Sequence, residues 1–487
     1  MIKFGKAVVK FRIPILILSF LLLIPAGISY INTRINYDIL SYLPGDIDTM
    51  KGQDILLEDF GTGAFSLCVV EDMSEKQVVD LENEIKGVEH VKDVIWYDTL
   101  ADISIPMDVL PSEIKDAFNN EDKNATLMIV TFDTSMSADE TLDAIEQLRT
   151  LTKQQCFMSG MSAVVTDIKK ICNSEAIAYV ILAAGLSAVV LALTMDSFLV
   201  PVFFLLSIGM AIIYNLGTNF VSGEISFITQ ALAAVLQLAV TMDYSIFLWH
   251  SYQENQERFP GDKKRAMAHA ISNTVSSVVA SSVTTVAGFV AMCFMTFTLG
   301  LDLGIVMAKG VVLGVLCCVT VLPAMILTFD GALEKTRHRA LIPKFDKMGT
   351  FATRKFPIFL VLFVVILIPA VYGYRNTNVY YDLAGTLPAD LESVQANNKL
   401  EEDFNMGATH IILASSDLSH KDASNMIDEI NDLDGVAVAL GKDAILGPAV
   451  PQEMLPADVK DMLDNGKLQM IYVMSEYKTA SDEVNAQ

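Results

Sequence analysis

Asp243 and Tyr244 stand side by side in LAVTMDYSIFLWH (238–250), inside one of the long apolar stretches of the chain. At 1.5 Å per helical residue, the carboxyl lies on the order of 10 Å inside an apolar layer, about two turns from the inner end of the stretch. A carboxylate at that depth costs several kcal/mol unless it is paired, protonated or hydrated. Burial there would raise its pKa towards the range in which a proton is taken up and released. The Tyr244 hydroxyl both donates and accepts, so the pair has the chemistry of a proton relay. Neighbouring helix positions point about 100° apart, so the two would share a network rather than one hydrogen bond. An acid kept neutral for packing is the plain alternative, but intramembrane acids are functional by default.

SSVVASSVTTVAGF (276–289) supplies a polar wall: Ser277, Ser281, Thr284 and Thr285 share one helical face, and Gly288 continues it. Such a stripe can hydrogen-bond a neighbouring carboxyl, though small-residue stripes more often serve as packing seams. Lys309, in MAKGVVLG beside Gly310 and Gly314, falls near the opposite face of the layer from Asp243. Snorkelling of its stem to the outer surface is the reading its depth favours. Trp249 and His250 read as interface residues, and Asp302 in LGLDLG (299–304) as part of a connecting loop. Neither the motifs of metallohydrolases and serine hydrolases nor a P-loop is present, so enzyme readings lack their residues. No metal site and no cofactor is expected, and the acidic surface reads as a solvated face.

These residues need a membrane scaffold to position them. The 487 residues are 52% hydrophobic and 19% charged, with a mean hydropathy of +0.43, too apolar for an ordinary soluble enzyme. A net charge of −24 argues against nucleic acid as a partner. Six cysteines show no CxxC spacing and no dense disulfide framework. Apolar runs long enough to cross a bilayer fall at about 13–31, 176–195, 198–220, 226–249, 275–298, 303–328 and 356–375. Residues 32–174 carry 11 Lys/Arg against 27 Asp/Glu, and residues 376–487 carry 6 against 20. The positive charges sit before the first run, after the fourth and after the sixth (Lys335 to Lys355, with Lys344 and Lys347 among them). An N-terminus inside puts every one of these clusters on the cytoplasmic side and both acidic regions outside.

An internal repeat organises the chain. LLIPAGISYINTRINYDILSYLPGD (22–46) is echoed by ILIPAVYGYRNTNVYYDLAGTLPAD (366–390), with Pro25/Pro369, Tyr37/Tyr381, Asp38/Asp382, Pro44/Pro388 and Phe60/Phe404 in register (388 − 44 = 344). Leu110-Pro111 and Leu455-Pro456 extend the echo, so the first run reads as an anchor used twice rather than a leader. The second copy is expected to stop before a five-span bundle of its own, which reads as a partial duplication. Runs such as SLCVV (66–70), TLMIVTF (126–132), THIILA (409–414) and LQMIYVM (468–474) predict strands. Helical spacing over 74–87 and 138–152 alternates with them, as in a ferredoxin-like unit. The expected fold is therefore an α-helical membrane bundle of seven spans, one plus five plus one, with two extracytoplasmic α/β ferredoxin-like domains. The expected boundaries are 1–31, 32–174, 175–329, 330–355, 356–375 and 376–487.

Asp243-Tyr244 in MDYSIFL, SSVTTVAGF, Leu322-Pro323-Ala324 and SGMSAV (159–164), set in this plan, resemble the MMPL branch of the resistance–nodulation–division superfamily. The resemblance covers nearly the whole chain. It implies two outer porter domains and proton-driven export across the plasma membrane, with lipids, drugs or other amphiphiles as cargo. In that scheme Asp243 and Tyr244 relay the proton and Ser277, Ser281, Thr284 and Thr285 support them. One proton moving down 100 mV yields about 2.3 kcal/mol, enough to bias a rocking equilibrium. Two features depart from the family pattern: its second Asp-Tyr pair would fall beyond Gln487, and WHSYQEN (249–255) stands where more basic residues are usual. A sterol-sensing-like lipid binder that does not pump, and a half-transporter that associates with another copy of itself, are the competing readings. Protons, membrane lipids and a hydrophobic cargo are the expected partners.

Overall fold

The computed structural model describes residues 1–100, 115, 117–152, 155–338, 346–377, 382–443 and 457–487. From the N-terminus run helix α1 (Ile2–Lys10), helix α2 (Arg12–Ile31), strand β1 (Arg34–Asn36), helix α3 (Asp48–Glu58) and strand β2 (Ala64–Glu71). Helix α4 (Glu75–Lys86), β3 (Val91–Ile95), β4 (Asn119–Asn120), β5 (Ala125–Phe132), α5 (Asp139–Thr152) and β6 (Cys156–Met158) follow. Long helices come next: α6 (Met161–Thr194), α7 (Leu199–Gly217), then β7 (Glu224–Ser226), α8 (Phe227–Arg258), α9 (Lys263–Met292) and α10 (Leu299–Thr328). Helix α11 (Phe356–Arg375), α12 (Glu392–Phe404), β8 (Ala408–Ser415), α13 (His420–Asn431), β9 (Val436–Leu440) and β10 (Leu468–Ser475) complete the set used below.

The chain divides into two compact units, Met1–Pro44 with Ile171–Thr377, and Gly45–Lys170 with Asn378–Gln487. The first is helical. Among the described residues seven helices are long and apolar enough to cross a membrane, α2 and α6 to α11. Helix α10 is the most enclosed, and its glycines let neighbours approach: a Cβ on Gly314 would stand 2.1 Å from Cγ2 of Thr241 on α8. The caps are local. Asp262 accepts the Arg265 N–H at 2.9 Å and starts α9 twelve residues before the apolar run expected at 275. Buried Ala266, Met267, Ala270 and Ile271 hold that first half in place. The run's expected end is also corrected: Phe294–Thr298 lie beyond the helix, in turns. Apolar α11 buries none of its residues within the described chain, as suits a side surface that lipid solvates.

The second unit is α/β. Strands β3-β5-β2-β6 form one antiparallel sheet in that order, with β4 beside β5, and β8-β10-β9 form another. The repeat is structural: Ala64 and Ala408 open corresponding strands, Glu75–Lys86 and His420–Asn431 are the helices that follow, and β5 and β10 are the central strands. A capping box sets the start of α4, where the Ser74 N–H donates to Gln77 Oε1 at 3.0 Å. Both sheets share one core, in which Val69, Met128 and Phe132 join Phe404, Met470 and Tyr472. The repeat pairs at Tyr381, Leu110-Pro111 and Leu455-Pro456 lie outside the described residues, as does Lys344.

Candidate functional site: the two faces of helix α8

Helix α8 begins where the Ser226 hydroxyl accepts the Ile228 N–H at 3.3 Å. It has the reverse of a soluble helix's pattern. Its buried face carries Gln237, Thr241, Tyr244, Ser245 and Tyr252, whereas its exposed face carries Leu232, Val235, Leu236, Ala239 and Phe247. Asp243 belongs to the exposed, apolar face. The expected network shared by Asp243, Tyr244 and a polar wall is therefore corrected: the turn of the helix that buries Tyr244 points Asp243 outward, away from polar neighbours in the described chain. Asp243 has no hydrogen-bond or ion-pair partner among the described residues, and Tyr244 packs in the bundle core with Leu248, Val311 and Val315.

The polar stripe of the adjoining helix α9 is also outward. Ser277, Ser281 and Thr284 are exposed and Thr285 is half-buried, while a Cβ on Gly288 would meet open space. The Thr284 and Thr285 hydroxyls donate to the Ser281 carbonyl of their own helix, at 2.7 and 3.3 Å. The structure does not bring any of these hydroxyls to Asp243. It gives the bundle two outward polar features, a carboxyl on one helix and a hydroxyl stripe on the next, each set in apolar surface.

Lys309 departs from the snorkelling expectation. Its ammonium donates to the side-chain oxygen of Asn219, just past the end of α7. Beside it, Asn215 Nδ2 donates to Gln237 Oε1 at 3.0 Å and Gln237 Nε2 to the Gly310 carbonyl at 3.1 Å. The ammonium thus meets a buried amide just past the end of α7. Asp302 is not in a loop but in the first turn of α10, where it accepts the Ser226 N–H at 3.1 Å. Trp249 is buried and its indole donates to Asp196 Oδ1 at 3.1 Å, so of the two expected interface residues only His250 is exposed. Asn215 and Gln237, uncharged residues inside the spans, are absent from the sequence-predicted site. An uncharged amide in a hydrocarbon-length run is a signal of the same kind, because it too must find partners. Among the described residues no three His, Cys, Asp or Glu side chains gather as metal ligands.

Seven apolar helices enclosing polar side chains define a multi-pass helical membrane protein. A model of the MMPL family matches residues 67–355. The chain belongs to the MMPL family. A putative membrane protein of Streptomyces coelicolor is 24% identical over 59% of this chain and 36% of its own length. The probable transport protein MmpL12 of Mycobacterium tuberculosis is 25% identical over 64% of this chain and 28% of its own length. A putative membrane protein of Methanocaldococcus jannaschii is 24% identical, over 64% and 90% respectively. The chain thus spans about a third of the length of the first two relatives. A crystal structure of SecDF in a super-membrane-facing form matches 67% of this chain and 39% of its own, at 15% identity and a TM-score of 0.37.

Proposed function

We propose that this protein is a proton-motive-force-driven exporter of lipids, drugs or other amphiphiles, of the resistance–nodulation–division type. Asp243 and Tyr244 form its proton relay, supported by Ser277, Ser281, Thr284 and Thr285. The observation that carries this reading is Asp243 itself, the one charged side chain between Phe227 and Phe247, set in an apolar outward stripe with no partner in the described chain. A carboxylate about 10 Å inside the apolar layer costs several kcal/mol, a cost that protonation removes. A group that is neutral against acyl chains and charged against a polar wall is a proton carrier coupled to what covers it. Membership of the MMPL family and likeness to a probable transport protein support the class of activity.

In this reading the helices cross the plasma membrane as one, five and one, with the N-terminus inside and residues 32–174 and 376–487 outside. The strand–helix order and the antiparallel sheet order favour ferredoxin-like porter domains. Cargo moves between these domains while the bundles rock. The outward position of Asp243 and of the α9 stripe favours a half-transporter mode, in which a second bundle of the same kind covers both. Replacing Asp243 by Asn keeps shape and removes the proton site. Proton uptake and amphiphile efflux in reconstituted vesicles should fall by about 100-fold or more, and parental rates in that variant would overturn the proposal.

A further inference from the structure

We propose that Lys309 is a second proton-binding site of this protein, inside the five-helix bundle and distinct from Asp243. It rests on the proton-coupled reading above and deepens it. Lys309 lies ten residues into α10 and turns inward, where the oxygen of the Asn219 amide receives it. The same amide's Nδ2 is buried and has no hydrogen-bond partner among the described residues. An ammonium donates to Oδ1; a neutral amine accepts from Nδ2. Asn219, only 3% exposed, is therefore matched to both protonation states of the Lys309 side chain that it receives. An arginine strut or a permanent ion pair would need no such second face.

The surroundings also fit a proton that moves. Asn215 is fully buried, and its Oδ1 too lacks a partner among the described residues although its Nδ2 is bonded to Gln237. Gly310, next to Lys309, has no room for a Cβ, which would stand 2.6 Å from Asn215 Nδ2 and 2.9 Å from Gln237 Oε1. Two amide atoms left open in a closed, polar place are what ordered water satisfies. From Gln237 the polar face of α8 continues one turn to Thr241, whose hydroxyl donates to the Gln237 carbonyl at 2.6 Å, and so to the level of Tyr244. The charged group that acts on Lys309 is Asp302, two turns nearer the start of its own helix. Of the helices that pack on α10, α7 and the turn after it present Asn215 and Asn219 and α8 presents Gln237, none of which titrates, while α2 and α9 carry no Lys, Arg, Asp or Glu between Ile13 and Ile31 or between Ala266 and Met292; Tyr42 and Glu224 lie with Asp302 at the end of the bundle. A proton thus has an acidic entrance at Asp302, a resting place on Lys309 and an amide-lined way along α8.

The test uses the full chain in phosphatidylcholine vesicles loaded with a pH-sensitive dye, and reads proton uptake after an acid step in parent, Lys309→Met, Lys309→Arg and Asp243→Asn. Arginine keeps the charge and the donor but does not titrate. The expected result is a loss of about 100-fold in all three variants, with unchanged elution and melting temperature in Lys309→Arg. A parental rate in Lys309→Arg means a fixed charge suffices and overturns the proposal, whether or not Lys309→Met folds. Parental rates in both lysine variants beside a lost rate in Asp243→Asn overturn Lys309 alone. A parental rate in Asp243→Asn overturns the proton-coupled reading and this site with it.

Discussion

Two aspartates on long helices, Asp167 in α6 and Asp243 in α8, meet opposite surroundings. Asp167 is 2% exposed and saturated: Arg149 binds it through Nη1 at 2.7 Å and Nη2 at 3.2 Å, and the Ser393 N–H at the start of α12 donates at 2.9 Å. Arg149 also reaches Glu392 at 3.0 Å, so one carboxylate clips the first α/β repeat to the second. Asp243 is exposed and has no partner among the described residues. Everything about Asp167 is explained by folding, and nothing about Asp243 is. On the proposed reading, Asp243 is the acid that works and Asp167 the acid that folds.

The largest contrast should therefore appear in double readout. Asp243→Asn should leave the thermal unfolding of the purified protein unchanged within about 0.5 kcal/mol, as expected of a surface change that breaks no contact, while abolishing proton-coupled transport. Asp167→Asn should do the reverse. Removing the buried partner of a bidentate ion pair leaves Arg149 with only the exposed Glu392 as its counter-charge and costs about 3 kcal/mol, visible as a lowered unfolding midpoint and faster proteolysis of residues 139–152. Should Asp243→Asn unfold the protein, or Asp167→Asn leave it untouched, the division between folding acid and working acid is wrong.

A smaller effect tests the packing that fixes which way Asp243 points. Gly314 on α10 lies against Thr241 on α8, two residues before Asp243. Thr241 is held by its bond to Gln237, so Gly314→Val should force the helices apart at a cost of about 1–3 kcal/mol. It should also lower transport without touching the proton site. A stable and fully active Gly314→Val would mean that α8 is free to turn, and its two faces would lose their meaning.

Sequence alone shows much of this, and the gaps have physical causes. The seven membrane helices are legible because a bilayer demands about 20 apolar residues whatever the neighbours do. The repeat is legible because Ala64–Glu71 and Ala408–Ser415 keep the same spacing from their anchors. The depth of Asp243 is likewise a matter of counting. Its direction is not: in lipid the exposed side of a helix is as apolar as a packed side, so Leu232, Val235 and Phe247 give no hint that they face outward while Gln237 and Thr241 face in. The inward turn of Lys309 is hidden for the same reason, since its partner Asn219 is 90 residues away in sequence.

The smallest effect concerns a second saturated acid, Asp464 of the second α/β repeat. Burial alone would raise its pKa, but Lys442, the Ser416 hydroxyl at 2.6 Å and the Gly466 N–H at 2.8 Å outweigh burial and hold it below the usual carboxylate value. A depressed native pKa contributes stability that is fully present above the unfolded value of about 4. That contribution is lost as pH falls towards the native value. Protection of the amides in β10 and β8, whose register joins Leu468 to Ser415, taken as exchange relative to the intrinsic rate at each pH, should therefore fall as pH drops below the unfolded value of about 4. Lys442→Met should remove most of this acid sensitivity while lowering protection at neutral pH, because it leaves Asp464 charged, buried and short of its cation. Protection that falls equally in parent and Lys442→Met would show that another carboxylate sets the acid limit. The contrast between saturated and open acids would then rest on Asp167 and Asp243 alone.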